Sequence, residues 1–423
     1  MTDIAAIDSR GAEVASGQAA TSVVDWSAAK ELAAKLIPAG PRLTRDEAVE
    51  LVSGLRAAAD ASVLPILETT RMAPAPGLPP DRFGQVLVVD RANWAASNID
   101  MMARLSDPVL AAVSAKIPMN NTARLGAGAE VAAMMGILSP RVLGQFDPYS
   151  AMGKAPSAVG SVDPSRGANE TTAPPIPSVE ERSISKPRDT DWPHNPPVQQ
   201  GQLMLIAPNV AQVERQLKVD PEDFRLWVCL HEQTHGLQFA AAPWLAPYMY
   251  GQISSLLDAL TQRAVESAEA SFWQKFVESL KVVRDLTRGL FRGTGPAPFE
   301  LLLGAEQQEK LSTITAVMAL LEGHADVMMD EVGPAVVPSV TEIREKFEAR
   351  RDGEGQPRGD VALRKIMGMD AKLAQYRDGA KFVRGVEELV GRDGFNAVWA
   401  SPETLPRAGE IEEPKKWVKR IHG

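Results

Sequence analysis

The chain has 423 residues, 44% of them hydrophobic and 23% charged, with Gly at 32 and a single cysteine; this suits a globular protein with a sizeable core and excludes collagen-like and disulfide-scaffold classes. Lys and Arg total 45 against 54 Asp and Glu, and the net charge of -9 opposes nonspecific binding to nucleic acid. No apolar run approaches the roughly 20 residues that a membrane span needs.

Residues 1–20 are small and polar and are expected to form a disordered N-terminus. Asp3, Asp8, Arg10 and Glu13 leave no apolar stretch there for a secretory signal. The lone Cys229 allows no disulfide within the chain, so the expected location is cytoplasmic. Helical periodicity covers 24–37, stops at Pro38-Ala39-Gly40-Pro41 and resumes over 44–61, where Thr44 and Glu47 have capping-box spacing. Residues 85–89 are β-branched and bounded by Gly84 and Asp90, which predicts a short buried strand. Helices follow at 92–105 and 122–138.

Residues 152–200 break this composition. They are rich in Pro, Ser, Gly and Thr, and are read as a disordered insertion or a lid between an N-terminal helical part, 21–151, and a second part, 201–423. A second strand is predicted at 202–207, read first as ordinary sheet core and in the alternative as an edge that pairs with an extended peptide, and a short helix capped by Asn209 at 209–217. Asp220-Pro221-Glu222-Asp223 opens a further helix, with Asp as N-cap, Pro in the first turn and acids at the positive dipole end. It runs through Phe239 and ends before Pro243. Further helices are predicted at 250–292, 311–332, 339–350, 361–376 and 381–389. The predicted class is mainly α (α+β), with a small sheet.

Five histidines are present, and two fall in His231-Glu232-Gln233-Thr234-His235 on the capped helix. Positions i and i+4 lie about 40° apart on a helix and one turn up. Both imidazoles can therefore reach one zinc ion, while Glu232 on the same rim can touch a water held by the metal. A catalytic zinc needs a third protein ligand. The helix around Leu320-Leu321-Glu322-Gly323-His324-Ala325-Asp326 is the best source, because it sets ionisable groups among apolar ones. Glu322 as ligand with Asp326 as acceptor for a ligand imidazole is one consistent set, and His324 as ligand is its rival. His324, Tyr248 and Tyr376 are candidates for a second electrophile at the reacting carbonyl. Cys229, two residues before His231, is read as a core thiol, and the basic tail around Lys415, Lys416, Lys419 and Arg420 as a solvated helix end.

His231-Glu-x-x-His235 followed by Glu322-Gly-x-Ala325 resembles the gluzincin metallopeptidases, and that resemblance implies Glu322 as the third ligand. The chain as a whole resembles an actinobacterial zincin-like metallopeptidase type 2 family, labelled as hydrolases or associated with deazaflavin-coenzyme biosynthesis. The stretches that carry it include Val88-Val89-Asp90-Arg91-Ala92-Asn93-Trp94, Val142-Leu143-Gly144-Gln145-Phe146-Asp147, Phe224-Arg225-Leu226-Trp227 and Pro402-Glu-Thr-Leu405-Pro406. The resemblance implies a zincin-like core. The resulting expectation is a hydrolase with one zinc per chain, acting on peptide or protein substrates through zinc-activated water with Glu232 as general base, without nucleic-acid or membrane partners. The alternatives are a zinc-stabilised interaction protein without turnover, and a small-amide hydrolase linked to cofactor metabolism.

Overall fold

The computed structural model describes residues 22–116, 120–150, 201–266, 304–351 and 369–423. The expected N-terminal tail and the insertion at 152–200 lie outside the described residues, as do the C-terminal part of the helix predicted at 250–292 and the start of that predicted at 361–376. Thirteen α-helices and three strands are described. In chain order they are α1 (Trp26–Leu36), α2 (Arg45–Ala61), α3 (Val63–Thr70), β1 (Gly84–Val89), α4 (Arg91–Lys116), α5 (Asn121–Leu138), β2 (Gly144–Asp147), β3 (Gly201–Ile206), α6 (Ala207–Leu217) and α7 (Pro221–Ala241). Then follow α8 (Leu245–Glu266), α9 (Ala305–Glu331), α10 (Val340–Arg351), α11 (Met369–Phe395), α12 (Ala408–Glu412) and α13 (Pro414–His422). The fold is mainly α with one small sheet, as the sequence implies.

Local chemistry sets the helix starts. Thr44 Oγ1 accepts from Glu47 N at 3.2 Å while Glu47 Oε2 accepts from Thr44 N at 2.7 Å, completing the capping box of α2. Asp220 Oδ1 accepts from the backbone N–H groups of Glu222 and Asp223 at 3.0 and 3.1 Å, with Pro221 at the first helical position. Asn209, by contrast, caps nothing. It sits buried inside the first turn of α6, where its Nδ2 donates to Ser139 O and Val142 O and its Oδ1 accepts from Arg91 Nε.

The strand order is β1-β3-β2. β3 runs parallel to β1 from Gly84↔Gly201 to Val89↔Ile206, and antiparallel to β2 from Gly144↔Leu205 to Asp147↔Gln202. β3 is thus the central strand, in keeping with the reading of 202–207 as sheet core and against its alternative as a peptide-pairing edge; among the described residues the edges are β1 and β2. Both faces of β3 are covered. Leu203 and Leu205 pack into the core shared with α7, while Met204 and Ile206 pack with Trp94, Ile99 and Met135 of α4 and α5. That two-sided burial is why β3 reads as a continuous apolar run rather than an alternation.

α7 is the central helix, with Phe224, Trp227, Leu230, Thr234 and Leu237 all buried. α9 crosses it, and α11 packs on the far side of α9 at very close range. A Cβ added at Gly323 would collide with the backbone of Gly379 and Ala380, and one added at Gly379 would strike the Ala319 carbonyl. Arg344 of α10 closes the other side. Its guanidinium bonds Asp326 at 2.8 Å and Asp330 at 2.6 Å on α9, and lies 5.4 Å from the centre of the Trp227 ring on α7. Near the C-terminus, Arg420 is bonded to Glu410 at 2.7 Å and Trp417 is fully buried, so this part of the tail is spent on packing. The glycine contact makes a direct prediction. Gly323→Ala should cost about 1–3 kcal/mol or more of stability by forcing α9 and α11 apart; an unchanged urea midpoint would contradict it.

Candidate metal centre

His231 and His235 stand one turn apart on α7, with ring centroids 4.8 Å apart and planes at 88°. Glu322 faces them from α9. The two Nε2 atoms are 3.2 Å apart, and Glu322 Oε2 lies 3.5 Å from that of His231 and 3.8 Å from that of His235. Their side chains keep 23%, 12% and 27% exposure, so one side of the cluster is open. Among the described residues this is the one cluster of His, Cys, Asp and Glu placed to hold a metal.

The remaining ring nitrogens show where the lone pairs point. His231 Nδ1 lies 3.3 Å from the Met329 sulfur, and His235 Nδ1 lies 3.0 Å from Gln238 Oε1. Gln238 Oε1 accepts, so a neutral His235 ring carries its hydrogen on Nδ1 and turns an Nε2 lone pair toward Glu322, whereas the Met329 thioether is a weak acceptor and His231 shares its Nε2 side with the Glu322 carboxylate. Three acceptor atoms then converge, and they repel one another unless a proton or a cation sits among them. A tetrahedral zinc with ligands at about 2.0–2.1 Å has ligand–ligand edges of about 3.3 Å. The observed 3.2, 3.5 and 3.8 Å edges bracket that value. Two imidazole nitrogens and a carboxylate with one open side therefore fit zinc in its catalytic, not its closed structural, arrangement.

Electrostatics agree with a cation-seeking site. Burial works against a charged His231, but its hydrogen bond to Glu322 and the charges of Glu232, Glu322 and Asp326 outweigh it and raise its pKa. At His235 burial prevails and the pKa falls. Glu232, next on the helix, is only 7% exposed. Burial, opposed by His231 and assisted by Glu322, pushes its carboxyl up to about 7. Its place is set by β2: a methyl group on Gly144 would come 2.5 Å from Glu232 Cγ and 2.7 Å from its Oε1. A glycine inside a strand marks such a close approach.

The other described residues singled out from the sequence make different contacts. His324 is fully buried, stacked on Phe395 at 5.4 Å and edge-on to Trp399, with Nδ1 accepting from Gln238 at 3.0 Å. Burial, with the charges of Arg392 and His235, pushes its pKa down to about 3. An imidazole enclosed in this way does not line the cleft. Asp326 faces Arg344 rather than a ligand imidazole, because α10 brings that guanidinium within 2.8 Å; Gln238 and Met329 hold the ligand rings instead. Tyr248 packs edge-on against Trp244 at 6.1 Å, and burial and the charge of Glu403 raise its pKa. The side chain of Tyr376 lies outside the described residues. Cys229 is buried, donates weakly to Leu55 O at 3.8 Å, and has its thiol pKa pushed up by burial.

Sequence reasoning missed Gln238, Met329 and Gly144. Gln238 carries a faint signal: it stands three residues after His235, hence on the same helix face, and is polar within Gly236-Leu237-Gln238-Phe239-Ala240. Gly144 carries another, as the glycine that opens Gly144-Gln145-Phe146-Asp147.

A capped helix with two histidines a turn apart, crossed by a carboxylate-bearing helix and overlain by an edge strand, is a metallohydrolase layout of the zincin type. The zincin-like metallopeptidase family matches residues 24–418, and the chain belongs to that family. Membership puts it among the hydrolases. In fold it is similar to the crystal structure of a candidate hydrolase with a novel fold from Chloroflexus aurantiacus. The two share 24% identity and a TM-score of 0.56, over 94% of this chain and 98% of that one. No curated protein matches. No helix among the described residues is long and apolar enough to cross a membrane.

The contact between β2 and Glu232 can be tested without a substrate. Gly144→Ala should either drive the Glu232 carboxyl into another rotamer or cost about 1–3 kcal/mol of stability. A variant crystal structure with Glu232 unmoved, together with an unchanged unfolding midpoint, would contradict this.

Proposed function

We propose that the chain is a zinc-dependent peptidase in which His231, His235 and Glu322 hold the metal and Glu232 is the general base. The observation that carries the reading is the convergence of three acceptor atoms, 3.2–3.8 Å apart, with one side open. Bound zinc would supply a Lewis acid able to acidify water and polarise a carbonyl.

The chain's own residues do the rest. Glu232 is near enough to His231 and Glu322 for their charges to shift its carboxyl, which suits it to a water on the open side; it takes that proton and returns it to the leaving amine. Burial against Gly144 keeps the carboxyl poised for both transfers. β2 supplies a place for the substrate. As an edge strand among the described residues, with Gly144 packed on the general base, it can pair with an extended peptide and lay the scissile bond beside Glu232. That edge favours a peptide over a small amide. The open side and the intact Glu232 favour an enzyme over a zinc-stabilised interaction protein, whose metal would close with a fourth protein ligand. A cytoplasmic location belongs to the same proposal and rests on the absence of any disulfide partner for Cys229.

Elemental analysis of metal-replete protein should find about one zinc per chain, lost in His235→Ala and Glu322→Ala and kept in His324→Phe. Absence of a transition metal from the wild type would contradict the reading, and so would zinc lost in His324→Phe but kept in Glu322→Ala. Glu232→Gln should retain fold and zinc while peptide hydrolysis falls by about 10²–10⁴-fold. Full turnover in that variant would remove Glu232 from the mechanism.

A further inference from the structure

We propose that Gln238 is the positioning residue of this centre, locking His235 with its hydrogen on Nδ1 and tying it to the helix that carries Glu322. The inference deepens the metal-site reading and rests on it.

Gln238 is fully buried, three residues after His235 on α7. Its side-chain nitrogen lies 2.9 Å from Leu321 O and 3.0 Å from His324 Nδ1, and its oxygen lies 3.0 Å from His235 Nδ1. A backbone carbonyl oxygen can only accept. A reversed amide would set two oxygens against each other, so Leu321 dictates that the Gln238 nitrogen faces α9. The amide oxygen is thereby fixed toward His235, whose Nδ1 must donate and whose Nε2 keeps its lone pair for the metal. The second amide hydrogen goes to His324 Nδ1, which makes His324 an acceptor with its own hydrogen on Nε2. At full burial each of these bonds is costly to leave unmade, so the set is held as one unit.

Two consequences follow. Leu321 is the residue before Glu322, so one amide grips α7 beside a ligand imidazole and α9 beside the ligand carboxylate. And His324, unused by the proposed chemistry, acquires a role: it is the acceptor that takes up the remaining hydrogen of Gln238 inside the Phe395–Trp399 enclosure.

The test uses the full chain, with zinc affinity from chelator competition and ¹⁵N NMR of the ring nitrogens in metal-free and zinc-loaded protein; five histidines keep the spectrum readable. The expected result is a protonated His235 Nδ1 in both forms of the wild type. Gln238→Met, of similar shape without the bonds, should weaken zinc binding by about 10–100-fold and lose that ring signature. Gln238→Glu keeps an acceptor for His235 but sets its second oxygen against Leu321 O, so it should recover the ring signature while lowering stability. Wild-type affinity in Gln238→Met, or a hydrogen on Nε2 of His235 in the metal-free wild type, would overturn the proposal. Should Gln238→Met fail to fold, the wild-type ring signal decides alone. A wild type that binds no zinc would remove the metal reading, while a protonated Nδ1 in the same protein would still uphold the Gln238 lock.

Discussion

Two imidazole nitrogens and a carboxylate oxygen are held face to face, within 3.8 Å of one another, by two helices that cross at the heart of the chain. Without a proton or a cation among them these atoms repel one another, and the surrounding packing holds them together. α7 is buried on nearly every side. α9 is pressed onto α11 at Gly323 and Gly379, where no side chain can intervene, and is drawn toward α7 and α10 by the Arg344 bonds to Asp326 and Asp330. A cation placed among the three acceptors would relieve the repulsion. Its binding free energy would then add to the stability of the fold that created the site.

The small sheet has a matching task. Its central strand, buried on both faces, is the slab between two helical layers, and its short edge strand β2 lies over α7. On the α7 side of β2, Gly144 meets Glu232 and Phe146 stacks on Phe239 at 5.7 Å. On the other side Gln145 is pinned by Trp94 and Asn98 of α4. The strand is thus fixed from both faces while its outer edge stays unpaired among the described residues. Rigid walls and one free edge suit a site that must hold its base still and admit a chain alongside it.

Much of this was legible in the sequence where the controlling physics is local. The cap at Thr44, the Asp220-Pro221 helix start, the i,i+4 histidine pair and the apolar run of β3 all act within a few residues, and each appears where the sequence puts it. Non-local choices were not legible. β2 is four residues long and becomes a strand only by pairing with β3, more than fifty residues later. Asp326 carried the right spacing to serve a ligand imidazole, but Arg344 from α10 claims it, and no pattern within α9 announces that competitor. Gln238 reaches its partners at Leu321 and His324 across more than eighty residues. Gly323 was readable as part of a motif, but its physical reason, the backbone of α11, came only with the fold.

The central claim, that this triangle of acceptors is an open metal site, is tested most directly by zinc K-edge X-ray absorption on the metal-loaded chain. The account predicts a first shell of light atoms only, with two imidazoles at about 2.0–2.1 Å, a carboxylate oxygen at a similar distance and one further light atom that exogenous ligands displace. A sulfur scatterer, or a shell that four protein ligands close against exchange, would contradict it.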